Sequence, residues 1–223
     1  LVSNGVKEMK VRKCIINIGG KESRLVFKKS AGKSQEEPDY DWQSLGYEKC
    51  LVCTLNRDTH VSCPIALDLA GVAELFSNVY SYERTLITLF FDEFEMSYSA
   101  DAQNICSDLI THITVSSDCP VFTKYRPFAK SSYLFREADD IFMQFIIAFS
   151  IHKFATAERM PEKCEILNEL YMMGEVFEKL QKRLTTYLVK DTNSNALVKF
   201  MHIRLLFQDH LDEFLEELRN NLL

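Results

Sequence analysis

The sequence predicts an α+β protein. A mixed or antiparallel β-rich N-terminal part with one inserted helix should pack against a C-terminal layer of three helices. Three observations carry this. Up to about residue 135 apolar and polar residues mostly alternate, the period of a strand with one buried face. Beyond it apolar residues recur every three or four positions, the period of a helix with one buried face. Between the early strand signals, Pro64 opens a single stretch with helical spacing.

Val11–Ile18 reads as the first strand. Gly19-Gly20 then supplies a tight turn, because glycine accepts positive φ, and Ser23–Lys28 returns. Residues 29–45 are polar, with Gly, Pro and acids, and read as a long loop anchored by Trp42, the only tryptophan. Tyr47–Leu55 and His60–Cys63 suggest a hairpin around residues 56–59. After Pro64, the residues Ile65, Leu69, Val72, Phe76 and Val79 follow at spacings of four and three, predicting a helix to about Tyr80. Arg84–Phe91 and Phe94–Ser99 read as strands. In the second, Phe94, Met96 and Tyr98 should face the core, and Asp92-Glu93 should lie in the turn before it. Leu109–Val115 is a further strand candidate, and Val121–Tyr125 a weaker one.

The helical part opens at Glu137–Ala155, whose first-turn acids suit the helix dipole. Its centre, Ile141–Ile151, is apolar on nearly every side and predicts the buried central helix. Pro161 starts the next helix, to about Val189. Its stripe is Ile166, Leu170, Met173, Phe177, Leu180, Leu184 and Tyr187. A short polar connection at 190–195 leads to a last helix over Ala196–Leu222, with Phe207, Leu211, Phe214 and Leu218 on one stripe. The division is residues 1–135 and 136–223, expected to form one integrated domain, with the stripe of 166–187 packing inside the chain rather than on a second copy.

A chain of 223 residues can bury a proper core without disulfides or metal. The net charge of −6 gives no global attraction to nucleic acid or anionic lipid, yet residues 1–30 carry +6 and the remainder −12. Seven scattered cysteines argue for a reducing compartment, cytoplasm or nucleus, over a secreted disulfide framework. No apolar stretch is long enough to span a membrane. The chain opens on Leu1, so a domain cut from a longer protein, or a processed product, is expected.

The sharpest local pattern is Cys50, Cys53, His60 and Cys63, four metal-type ligands in fourteen residues. The spacing matches no common finger, and a CxxC in a regular strand points its thiols to opposite faces. Core cysteines and no metal are therefore expected. No phosphate loop, dinucleotide glycine pattern or nucleophile motif is present, so no cofactor is expected. Lys10, Arg12 and Lys28 could share a phosphate-contacting surface, against the simpler reading of a lysine-protected strand edge. The leading expectation is a non-enzymatic scaffold or assembly domain that binds a protein partner or a second copy. Met172, Phe200 and Met201 are the candidate interface residues. The alternatives are a weak nucleic-acid-binding module and an enzyme whose site forms only in three dimensions.

Overall fold

The computed structural model describes residues 13–27, 37–91, 94–128, 138–187 and 189–222. Lys10, Arg12 and Lys28, the Asp92-Glu93 turn and Glu137 lie outside them.

Strands β1 (Lys13–Ile18) and β2 (Lys21–Val26) form the expected hairpin. Gly19 and Gly20 both take positive φ, 57° and 81°, at its two-residue turn. Strands β3 (Arg84–Phe90) and β4 (Glu95–Asp101) complete a four-stranded antiparallel sheet of order β2-β1-β3-β4. Register aligns Leu25, Cys14, Leu89 and Met96 in one cross-strand row, and Ser23, Ile16, Ile87 and Tyr98 in the next. That face lies toward the helices. The opposite face, with Ile15, Arg24, Thr88 and Ser97 in one row, is open. Phe94 and Met96, expected in the core, are 43% and 42% exposed, because β4 is an edge strand that overhangs the helical layer.

Helix α1 (Pro64–Phe76) follows the predicted spacing. It lies close to β2: a Cβ at Gly71 would meet Leu25 Cδ1 at 2.6 Å. The hairpin expected at 47–63 is absent. Residues 44–63 form successive turns tied by one bridge, Ser44 to Ser62. Asn56 starts the turn at 56–60, its side-chain oxygen accepting the Asp58 amide at 3.1 Å and its carbonyl the His60 amide at 2.9 Å.

The largest correction concerns the centre of the fold. Leu109–Val115 is not a strand but part of helix α2 (Ala102–Ser116), and Val121–Tyr125 falls in turns and the short 3₁₀ helix Thr123–Phe128. Every residue from Ile105 to Val115 is buried. Asn104, Ser107, Asp108, Thr111 and His112 do recur along α2 at helical spacing, but within residues 109–115 the β-branched residues imitate a strand. It packs against the sheet, α1, the 3₁₀ helix and α5. Two of its buried polar groups find partners, Thr111 donating to the Ser107 carbonyl at 2.8 Å and the Cys106 thiol to Asn193 Oδ1 at 3.1 Å, whereas His112 Nδ1 and Thr114 Oγ1 find none among the described residues.

Helix α3 (Ala138–Ala157) is consequently not the central one. One side is buried through Ile141, Phe142, Phe145 and Phe149, while Ile147, Ile151 and Phe154 are 45%, 49% and 60% exposed. Helices α4 (Lys163–Thr185) and α5 (Thr192–Leu222) pack together as an αα-hairpin. The stripe Ile166 to Leu184 is buried against this chain, and Phe177 stacks on Phe200 at 4.7 Å and 7°. On α5, Leu211 is buried; the side chains of Phe207, Phe214 and Leu218 lie outside the description. Among the described residues no helix is long and apolar enough to cross a membrane.

Candidate functional site

Between α3 and α4 lies a cleft of about 420 Å³. Phe149 and Met172 supply its apolar lining, and Lys124, His152, Lys153, Glu165 and Glu169 its polar one. Glu169 is buried and doubly satisfied: Lys124 Nζ donates to one carboxylate oxygen and the Tyr125 hydroxyl to the other, each at 2.6 Å. At the other end Glu165 accepts from Arg159 at 2.7 and 3.0 Å, from Lys153 at 2.7 Å and from the Glu162 amide at 2.9 Å. Those donors, Arg159 foremost, hold its carboxyl well below the usual carboxylate range. Cys164 meets the Glu162 carboxylate at 3.7 Å. With these carboxylates already paired, the cleft is equipped for polar recognition more than for proton transfer.

Met172 is half-buried at this cleft and Met201 half-buried on α5. Phe200, expected at an interface, is 1% exposed and belongs to the core through its stack on Phe177. The stripe of α3 is the surface that the sequence concealed: Ile147, Ile151 and Phe154, at spacings of four and three, share one outward line.

The basic candidates Lys10, Arg12 and Lys28 fall outside the described residues. On the described open face of the sheet, Lys13 and Arg24 alternate with Glu22 and Glu95, and Lys13 Nζ sits 4.3 Å from the Phe90 ring centroid. That mixed surface is no phosphate track.

The cysteines are placed differently from expectation. Residues 50–53 turn, with the Cys53 amide donating to the Cys50 carbonyl at 3.1 Å. Cys50 thereby comes within electrostatic reach of Cys53, Cys63 and, from beyond α2, Cys119. His60 is elsewhere, its Nδ1 2.9 Å from Thr59 Oγ1 on the exposed turn. Cys63 precedes α1, its amide donating to the Gln43 carbonyl at 2.8 Å, and Cys119 precedes Pro120, its amide donating to Ser117 Oγ at 3.3 Å. Burial pushes the Cys50 and Cys119 thiols up to about 12 and raises Cys63 as well.

Beside them lies Arg183, a buried side chain missed in the sequence, although it occupies a core-facing helical position, three after Leu180 and four before Tyr187. Its Nη1 donates to the Trp42 carbonyl at 2.5 Å and the Ser44 carbonyl at 2.8 Å, and Nη2 to Glu48 at 3.4 Å. Trp42, itself 4% exposed, anchors the loop as expected.

A family model described as a domain of unknown function, DUF6901, matches residues 19–222, and the chain belongs to that family. No curated protein and no solved structure matches.

Proposed function

We propose that this DUF6901 domain is a protein-interaction module that receives an amphipathic helix of a protein partner along α3. The observation that carries it is the exposed line of Ile147, Ile151 and Phe154 on a helix whose opposite side is core. Full burial of such a side chain contributes roughly 1.5–3 kcal/mol; with these three about half exposed, roughly half of that is left for a bound partner to recover. Their spacing matches the i, i+4, i+7 anchors of helix-in-groove recognition. Three side chains cover far less than the roughly 800 Å² per partner of a standard interface, which favours a transient partner over an obligate dimer. The paired charges of the neighbouring cleft give that partner polar contacts at the edge.

The test places a photo-crosslinking residue at position 147, 151 or 154 in the full chain, with position 182 on exposed α4 as control. The expected result is one partner segment with helical apolar spacing, captured only from α3 and lost in Ile151→Glu, whose melting is unchanged. Equal capture from position 182 overturns the proposal. So does a dimer in sedimentation that Ile151→Glu dissolves, since the occupant would then be a second copy.

A further inference from the structure

We propose that the cleft between α3 and α4 binds a small organic carboxylate, its anionic head bridging Lys124 and Lys153 and its short apolar stem lying on Phe149 and Met172. The cleft's volume, about 420 Å³, falls in the range of small-ligand pockets. Hydrogen bonding gives the sign of the ligand. Glu165 is saturated, because each oxygen already accepts two donors: Oε1 from Lys153 and Arg159, Oε2 from Arg159 and the Glu162 amide. Glu169 is 4% exposed, and its oxygens are held by Tyr125 and Lys124. Each ammonium has three donors, and among the described residues Lys124 and Lys153 each place one on a carboxylate. The cleft therefore holds spare N–H donors, which match an acceptor-only anion.

Position follows from α4. Glu165 and Glu169 stand one helical turn apart, about 5–6 Å between Cβ atoms, and each holds its own lysine. The two ammonium groups are thus tethered about one turn apart, near enough for one carboxylate to contact both. Both are restrained before a ligand arrives: the Lys124 and Lys153 side chains are 20% and 29% exposed, and Lys124 Nζ lies 5.4 Å from the Phe149 ring centroid. Such preorganisation lowers the entropic cost of binding. Keeping the Lys124–Glu169 pair this far from water carries a desolvation cost, and apolar residues of like volume often hold helices together at least as well. A ligand gives the pair a use that stability does not. The competing account is a set of ion pairs that only ties the 3₁₀ helix and α3 to α4. Ile147, Ile151 and Phe154 do not line the cleft, so this site and the helix-binding line stand or fall separately.

The experiment titrates the full chain with hexanoate by calorimetry, with hexylammonium and acetate as controls. Hexanoate should bind with a dissociation constant of about 1 mM or tighter. Hexylammonium should not bind, and acetate, which lacks the stem, should bind more weakly by roughly tenfold or more. Lys153→Met should weaken hexanoate by roughly tenfold or more and melt near the wild type, since Glu165 keeps Arg159 and the Glu162 amide. Lys124→Met should weaken it as much. If that variant does not fold, because Glu169 is left buried on Tyr125 alone, lysine acetylation of the wild-type chain decides. Hexanoate should protect Lys124 and Lys153 and leave Lys182, 49% exposed on α4, as reactive as before. The proposal is overturned by no saturable hexanoate binding up to about 10 mM, or by hexylammonium binding as tightly. Unchanged binding in a folded Lys153→Met chain, or protection that misses either lysine, does the same.

Discussion

Replacing Arg183 with Met should free the loop of residues 40–63 while leaving most helices intact. The substitution keeps an unbranched apolar stem of similar reach and removes only the guanidinium. Two short charge-assisted hydrogen bonds are lost, to the Trp42 and Ser44 carbonyls at 2.5 and 2.8 Å, and a weaker one to Glu48 at 3.4 Å. Bonds to a charged donor contribute about 1.5–3 kcal/mol each. Against this, burying the guanidinium carries a desolvation cost that disappears with it. The net loss should be about 2–3 kcal/mol. Trp42 is the only tryptophan and is buried where the loop meets α4, so its fluorescence reports this loop alone. In urea, Arg183→Met should red-shift Trp42 emission at lower denaturant than the loss of far-ultraviolet ellipticity. Arg183→Lys should fall between, since one ammonium cannot span the same carbonyls. Coincident transitions within about 0.5 kcal/mol of the wild type, the range of an inert surface change, would refute the claim that Arg183 pins the loop.

Two further outcomes are expected. Phe177→Ala should cost about 3–5 kcal/mol by denaturant unfolding, because the ring is 1% exposed between Phe122 and Phe200; Tyr171→Ala, on the 48%-exposed side of the same helix, should cost far less. Burial lowers the His112 imidazole from 6.5 to about 4 in the folded chain, and its Nδ1 has no hydrogen-bond partner among the described residues. Between those values the unfolded chain binds the extra proton, so stability should fall as pH drops from about 6.5 toward 4, by on the order of 3 kcal/mol. A His112→Leu chain that keeps the full slope across this window would assign it to other groups.

The sequence by itself determined the elements whose surroundings are one-sided. β1, β2, β3, α1 and α4 each bury one face and wet the other, so their periods are written in the residue order; the glycine pair at 19–20 and Pro64 mark boundaries through backbone geometry alone. Tertiary structure decided the rest. It made a central helix of α2, burying its polar stripe of Ser107, Asp108, Thr111 and His112 along with its apolar one, where the β-branched run of 109–115 reads locally as a strand. It left α3 half exposed although its sequence is apolar all round, because the β-rich part encloses α2 instead, and the exposure of Ile147, Ile151 and Phe154 depends on which neighbours are absent. It carried Arg183 to the Trp42 carbonyl across 141 positions of sequence, and left His60 on an exposed turn, because groups brought together by packing carry no common spacing along the chain. Local periodicity reports what one element buries; only the assembled core reports which elements meet.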